Sequence, residues 1–291
     1  MTEPAIRISD LHKHYGDLHA VDGVDLEITR GEVFALLGPN GAGKSTTVEI
    51  LEGFRKRTSG DVSVLGVDPH HADNAWRERV GVMLQSTSER SALTAREALL
   101  HTSRYYSRPR DVDQTLAAVG LTEKADAKPQ TLSGGQRRRL DVALAVVGRP
   151  ELVFLDEPTT GFDPEARRQF WQLIEALRVD GTTIVLTTHY LDEADHLADR
   201  IGIIAAGRLV ALDSPAGLRS RASDTRVAWN EGGTARERLT GEPTALLREL
   251  LARHPGEIPH LEVTRPTLED VYLSLIGEAH AAATREEENA R

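Results

Sequence analysis

Nine consecutive residues, Gly38, Pro39, Asn40, Gly41, Ala42, Gly43, Lys44, Ser45 and Thr46, combine glycines, one ammonium and hydroxyls in the pattern G-x-x-x-x-G-K-[ST]. Glycines let backbone N–H groups curl around an anion. Lys44 supplies a point charge for the outer phosphates of a nucleotide, and Ser45 a hydroxyl for Mg²⁺. The run follows an apolar stretch and opens a helical pattern whose positive dipole end adds to the site. Such a loop binds a nucleoside triphosphate. Farther along, Leu152-Val-Phe-Leu-Asp156-Glu157 ends an apolar run in two acids. Adjacent strand residues point to opposite faces, so the two acids divide the work: Asp156 for Mg²⁺, Glu157 to polarise the attacking water. His189 ends another apolar run, where a neutral imidazole could meet the γ-phosphate or that water.

Leu132-Ser133-Gly134-Gly135-Gln136 offers a second anion site: a hydroxyl, free N–H groups and a helix N-terminus. Two phosphate-binding segments but one nucleotide loop imply a head-to-tail pair, each Ser133 segment closing over the other chain's γ-phosphate. Arg137, Arg138 and Arg139 place cations in the first helical turn, where the dipole disfavours them. Broken local rules mark functional sites, although Arg138 and Arg139 taken singly read as a solvated basic patch paired with nearby acids.

These groups need elements to hold them. Val33–Leu37, Val80–Leu84, Leu152–Leu155, Thr183–Leu186 and Ile201–Ile204 are apolar without polar alternation, as strands buried on both faces of a parallel sheet must be. Helical patterns cover Lys44–Leu51, Ala95–Tyr106, Asp111–Val119, Gln136–Val147, Pro164–Val179 and Leu191–Leu197. The alternation predicts an α/β core. Between Leu84 and Leu152 only helix signals occur, so that stretch reads as a mostly helical insertion. Beyond Pro215 a polar stretch with Gly232 and Gly233, a helix over Thr244–His254, a strand over Leu261–Thr264 and a helix over Leu268–Ile276 make a small α+β appendage. Ala281–Arg291 is charged and aperiodic, and is expected to fray.

Composition narrows the class. The 291 residues carry 35 basic and 45 acidic side chains, a net charge of -10 and no cysteine. Disulfides, thiol nucleophiles and thiolate metal sites are excluded, and a nucleic-acid partner is not expected of so acidic a chain. No apolar run approaches the ~18–20 residues of a membrane span, and Met1–Asp10 lacks the apolar segment of a secretory signal. A soluble, cytoplasmic chain is expected.

The motifs together resemble the nucleotide-binding subunit of ATP-binding-cassette (ABC) transporters. Leu132–Gln136 reads LSGGQ, that family's signature, and the phosphate loop, signature and acid pair occur in its order and spacing over about Ala5–Leu218. The resemblance implies a P-loop NTPase core, with ATP and Mg²⁺ as cofactors and ATP hydrolysis as the reaction. It places Tyr15 on adenine, Gln85 on Mg²⁺ or water and against the membrane partner, Asp163 across a dimer interface, and His189 as the switch histidine. Phe162 departs from the family's usual Leu, a change in packing.

The C-terminal Arg265–Leu275 resembles the ATPases of daunorubicin-resistance-type (ABC-2) exporters. The implied organisation is an ATPase domain over 1–218 with its helical subdomain at about 86–150, an accessory domain over 219–280 and a tail over 281–291. The implied assembly is a homodimer, or a pseudo-symmetric pair, on a separate multi-span permease, peripheral to the cytoplasmic face of the membrane. Ser86–Leu99 would hold the permease's coupling element. The cargo is expected to be a drug, antibiotic or other hydrophobic small molecule. A lipid, polysaccharide or other metabolite is the alternative. A soluble ATPase acting on ribosomes or DNA fits less well, because this chain has one cassette and no heptads.

Overall fold

A computed structural model describes residues 3–83, 92–221, 225–254 and 256–289. The central element is a six-stranded sheet built from β3 (Val33–Leu37), β5 (Val80–Met83), β6 (Leu152–Asp156), β7 (Thr183–Thr187), β8 (Arg200–Ala205) and β9 (Arg208–Asp213), in the order β5-β6-β7-β3-β8-β9. All its pairings are parallel except β8–β9. Its strands are apolar throughout because both faces are covered. Val33, Ala35 and Leu37 enter one core while Phe34 and Leu36 enter the other, the strand's period of two dividing them.

The first core is roofed by helices: α3 (Ala95–Ser103), α4 (Val112–Ala118), α5 (Gly134–Val146), α6 (Pro164–Val179) and α7 (Leu191–Leu197). Helix α6 buries Ala166, Phe170, Leu173, Ile174 and Leu177, the stripe a 3.6-residue period puts on one face. The expected helical insertion between β5 and β6 therefore contains α3, α4 and α5, with short 3₁₀ turns and no strand among the described residues.

The second core lies under a sheet that the sequence reading did not anticipate. It comprises β1 (Ile6–Tyr15), β2 (Leu18–Ile28) and β4 (Ser59–Val64), antiparallel in the order β2-β1-β4. Its inward residues, Ile6, Ile8, Val24, Leu26 and Ile28, alternate with exposed polar ones. This half-buried pattern is weaker than a continuous apolar run, and β1 is further broken by shifts in register. Helix α1 (Lys44–Leu51) and the short α2 (Asn74–Glu78) complete this layer.

After α8 (Pro215–Arg221), β10 (Thr225–Glu231) and β11 (Thr234–Thr240) form a hairpin whose two-residue turn is Gly232-Gly233, at φ 58° and 84°. Glycine tolerates this left-handed pair, and the resulting twist suits a hairpin. Strand β11 is exposed along nearly its whole length, which is why it carries no apolar signal. With β12 (Glu262–Thr264) and α9 (Pro243–Arg253) the hairpin encloses a small core of Val227, Leu246, Leu250 and Ile258. The last helix, α10 (Leu268–Asn289), instead buries Leu268 and Val271 in the main core, against α7, α8 and β8. It continues helically where a frayed tail was expected from Ala281. Ala281–Ala283 and Arg285–Glu288 are among the strongest helix formers, and a charged face does not prevent a helix.

Candidate functional site

Parallel strands present their carboxyl ends on one edge, and β3, β7 and β6 are neighbours there. The loop after β3 leads into α1, whose N-cap, Gly43, has φ 105° and offers no side-chain cap. The first-turn N–H groups of α1 are thus left for an anion. A Cβ on Gly43 would lie 2.3 Å from the Ala20 carbonyl oxygen, so only glycine permits β2 to approach the loop this closely.

A cavity of about 340 Å³ opens here, lined by Tyr15, Leu18, Ala20, Asn40, Gly41, Gly43, Lys44, Ser45, Thr46, Asp156 and Glu157. Its size falls in the range of small-molecule sites. Lys44 Nζ donates to the carbonyls of Gly38 (2.6 Å) and Pro39 (3.0 Å). Burial pushes its ammonium below the ordinary value, with Glu157 and Asp156 opposing. Gly38, Pro39 and Ala42 shape the loop without lining the cavity. Tyr15 ends β1 beside the loop; its hydroxyl accepts from Arg55, and the Lys13 ammonium stands 4.8 Å from its ring centre.

The expectation that Asp156 and Glu157 face opposite ways is corrected by the backbone. Asp156 is the last residue of β6, and Glu157, already past the strand, takes φ 46°. Strand alternation no longer applies to it, and both carboxylates line one cavity. Glu157 N donates to the Thr187 carbonyl (3.0 Å) and hydroxyl (3.2 Å), which hold the left-handed turn. Thr187 Oγ1 in turn donates to Asp156 Oδ1. His189, two residues beyond β7, places Nδ1 3.5 Å from Glu157 Oε1. Ser45 and Asp156 offer hard oxygen donors to the same cavity, a set that fits Mg²⁺.

The signature segment stands apart. Ser133 caps α5 in a reciprocal box with Gln136, Ser133 Oγ accepting from Gln136 N (3.2 Å) and Gln136 Oε1 from Ser133 N (3.0 Å). Ser133 and Gly134 are exposed, and none of Ser133, Gly134, Gly135 and Gln136 lines the cavity of its own chain. Asp163 caps α6, accepting from Ala166 N at 2.7 Å, and is likewise outside it. Phe162 is buried edge-on against Phe170, so the larger side chain is absorbed by packing. Gln85 lies outside the described residues, as do residues 86–91 of the stretch expected to meet the permease.

Arg138 and Arg139 both depart from the acid-paired, solvated patch expected of them. Arg138 pairs with no acid among the described residues: its guanidinium donates to the carbonyls of Asp156 and Glu157, the latter at 2.9 Å. Arg139 similarly reaches the Val119 and Gly120 carbonyls and Gln169. The sequence signal for Arg138 was its expected place in a first helical turn; α5 starts at Gly134, which puts Arg138 in the second turn. The side chain crosses from the signature helix to the strand end that carries both acids.

A phosphate loop, a strand-end acid pair and a helical insertion with its own capped anion segment define an ATP-binding cassette of the P-loop NTPase class. Comparison with known proteins agrees. The family model for the ABC transporter matches residues 21–160. The chain is 38% identical to the daunorubicin/doxorubicin resistance ATP-binding protein DrrA of Streptomyces peucetius, over 99% of this chain and 97% of that protein. It is 41% identical to the Nod factor export ATP-binding protein I of Burkholderia orbicola, over 75% of this chain and 73% of that one. Among solved structures, an ATP-binding subunit of an ABC transporter superposes with TM-score 0.68 at 25% identity, covering 75% of this chain and 92% of that one. A dimeric ATP-binding cassette in a post-hydrolysis state with ADP and Pi gives 0.65 at 26%, covering 72% and 98%. The chain belongs to the ATP-binding subunits of ABC transporters, and it is an ATPase.

Proposed function

We propose that this chain drives export of a drug-like or other hydrophobic small molecule by binding and hydrolysing ATP against a separate membrane permease. The observation that carries the catalytic reading is the convergence of the phosphate loop, Asp156 and Glu157 on one cavity, with His189 on the second carboxylate. Tyr15 offers adenine an aromatic face. Gly38–Thr46 and Lys44 hold the phosphates, and Ser45 and Asp156 would hold Mg²⁺, which would neutralise phosphate charge. Glu157 polarises the attacking water, and His189 orients Glu157 and meets the γ-phosphate. Gln85 is assigned to metal or water and to sensing the permease.

The exposed Ser133–Gln136 segment, outside its own cavity, supports a head-to-tail pair in which Ser133 and Asp163 serve the other chain's ATP. A related cassette is dimeric in two solved structures. Two daunorubicin-resistance relatives span 99% and 96% of this chain, appendage included, which favours drug-like cargo. The 41% identity to a Nod factor export protein supports a second reading, in which the cargo is another metabolite. No helix among the described residues is long and apolar enough to cross a membrane, so attachment to the cytoplasmic face would come through the permease. The division we adopt is an ATPase domain over 1–218, including a helical subdomain at about 86–150, and an accessory domain over 219–280. The packing of α10 on the main core gives that accessory domain a firm anchor.

Two experiments test the reading. Replacing Glu157→Gln should cut hydrolysis by about 10²–10⁴-fold, the usual worth of a general base, and trap an ATP-bound dimer on size exclusion. Wild-type turnover in that variant removes the base assignment. Affinity capture from detergent-solubilised host membranes should recover a stoichiometric polytopic membrane protein. Recovery of ribosomal or DNA-associated partners alone would refute the transporter.

A further inference from the structure

His12 and His14 stand two residues apart on β1 and so share one face of the strand. Cross-strand pairing sets Asp22 opposite His12 and His19 opposite His14 on β2. His12 Nδ1 lies 3.3 Å from Asp22 Oδ1. That is the edge of a tetrahedron whose centre sits about 2.0–2.1 Å from its corners, the bond length of Zn²⁺ to imidazole or carboxylate. One donor atom from each of His12, His14 and Asp22 lies within 4.8 Å of the others.

The surroundings are those of a metal ligand set. His12 Nε2 is 2.9 Å from Asp10 Oδ1, the carboxylate placed behind a ligating imidazole to fix its tautomer. Asp22 Oδ2 accepts from Arg208 Nε at 2.9 Å, leaving Oδ1 for the cluster. The His19 ring stacks on His14 at 3.9 Å, and its Nδ1 is 3.7 Å from Asp22 Oδ1. A hydrogen-bond network alone would account for His12 between two carboxylates. It would leave His14 Nε2, buried and without a hydrogen-bond partner among the described residues, unexplained.

We propose that His12, His14 and Asp22 form a binding site for a borderline divalent transition metal, with Zn²⁺ as the fitting ion. Two imidazoles and one carboxylate suit Zn²⁺ better than the Mg²⁺ of nucleotide chemistry, which prefers oxygen alone. The site is separate from the nucleotide cavity but linked to it, because Tyr15 and Leu18, the strand ends on either side of the β1–β2 turn, line that cavity. An ion here ties the two strands together directly behind that turn.

The test uses the full chain, free of any histidine tag and stripped with chelator, in buffer without Mg²⁺ or nucleotide. Titration with Co²⁺ should give one equivalent with the intense visible absorption of a four-coordinate ion, displaced by one Zn²⁺. A Zn²⁺ competition assay against a chromophoric chelator should show affinity at least tenfold weaker in His12→Gln and in His14→Gln. It should show weakening of similar order in Asp10→Asn, which keeps every ligand. A His70→Gln/His71→Gln variant, altering the exposed pair on the turn after β4, should bind as the parent does. Thermal melts confirm that each variant is folded. A weak six-coordinate Co²⁺ spectrum, unchanged Zn²⁺ affinity in folded His12→Gln and His14→Gln, or loss of binding in the His70/His71 variant overturns the proposal.

Discussion

Glu157 occupies a backbone region that costs a residue with a Cβ about 1–3 kcal/mol, and the cost is met by two hydrogen bonds from its N–H to Thr187. The strain turns a second carboxylate into the cavity that Asp156 already lines. Arg138 grips the carbonyls on both sides of that turn. Arg138→Ala should therefore lower the single-turnover rate by about tenfold to a hundredfold through misplacement of the acids, with ATP affinity in a filter-binding assay nearly unchanged. Arg138→Lys should recover little, since an ammonium lacks the planar fork. Glu52, at the end of α1, shows the reverse electrostatics. Burial, then Asp156, then Glu49 raise its pKa from 4.5 to about 8. The folded chain thus binds a proton that the unfolded chain has released between those values, and stability contributed at low pH is lost as pH rises through about 8. Glu52→Gln should melt at the same temperature as the parent near pH 4.5 and higher at pH 8.5, read by circular dichroism in Mg²⁺-free buffer.

At the scale of elements, helix starts do double duty. The N-terminus of α1 lacks a side-chain cap, which leaves its first-turn N–H groups for the phosphate chain we assign to it. The N-terminus of α5 is capped within the chain by Ser133 and Gln136, yet Ser133 and Gly134 remain exposed. Loss of function on removing Ser133 therefore mixes two effects. Ser133→Ala should cost about 0.5–2 kcal/mol of stability and also abolish ATP-dependent dimerisation. Ser133→Asp, an equally good cap, should restore the melting temperature but not the dimer, since its carboxylate would face a phosphate. Chemical denaturation and size exclusion with ATP separate the two.

Across the whole molecule, the chain after Pro215 returns to the ATPase core. Leu268 and Val271 are buried in the same cluster as the central sheet, whereas the sheet of β10, β11 and β12 with α9 keeps a separate small core. Leu268→Ala should destabilise the whole chain by about 2–5 kcal/mol, the usual cost of a buried leucine. Leu273→Ala, on the exposed side of the same helix, should leave urea unfolding nearly unchanged. A truncation before Leu268, which removes α10 and keeps β10, β11, β12 and α9, should accordingly lower the melting temperature of the ATPase core.

The phosphate loop, the acid pair, the signature and the buried strands were legible in the residues because their rules are local. Glycines at fixed spacing, an apolar run closed by acids and a serine before a helix each keep their meaning wherever the chain puts them. The β1–β2–β4 sheet and β11 were not legible: their faces are half or wholly exposed, and register depends on partners distant in sequence. Nor could the sequence show that Glu157 turns back beside Asp156, that Arg138 spans from α5 to the end of β6, or that His12, His14 and Asp22 share a face. Each of these depends on which strands pair and in what register. That is decided by burying both faces of the central sheet at once, a condition that no single segment carries.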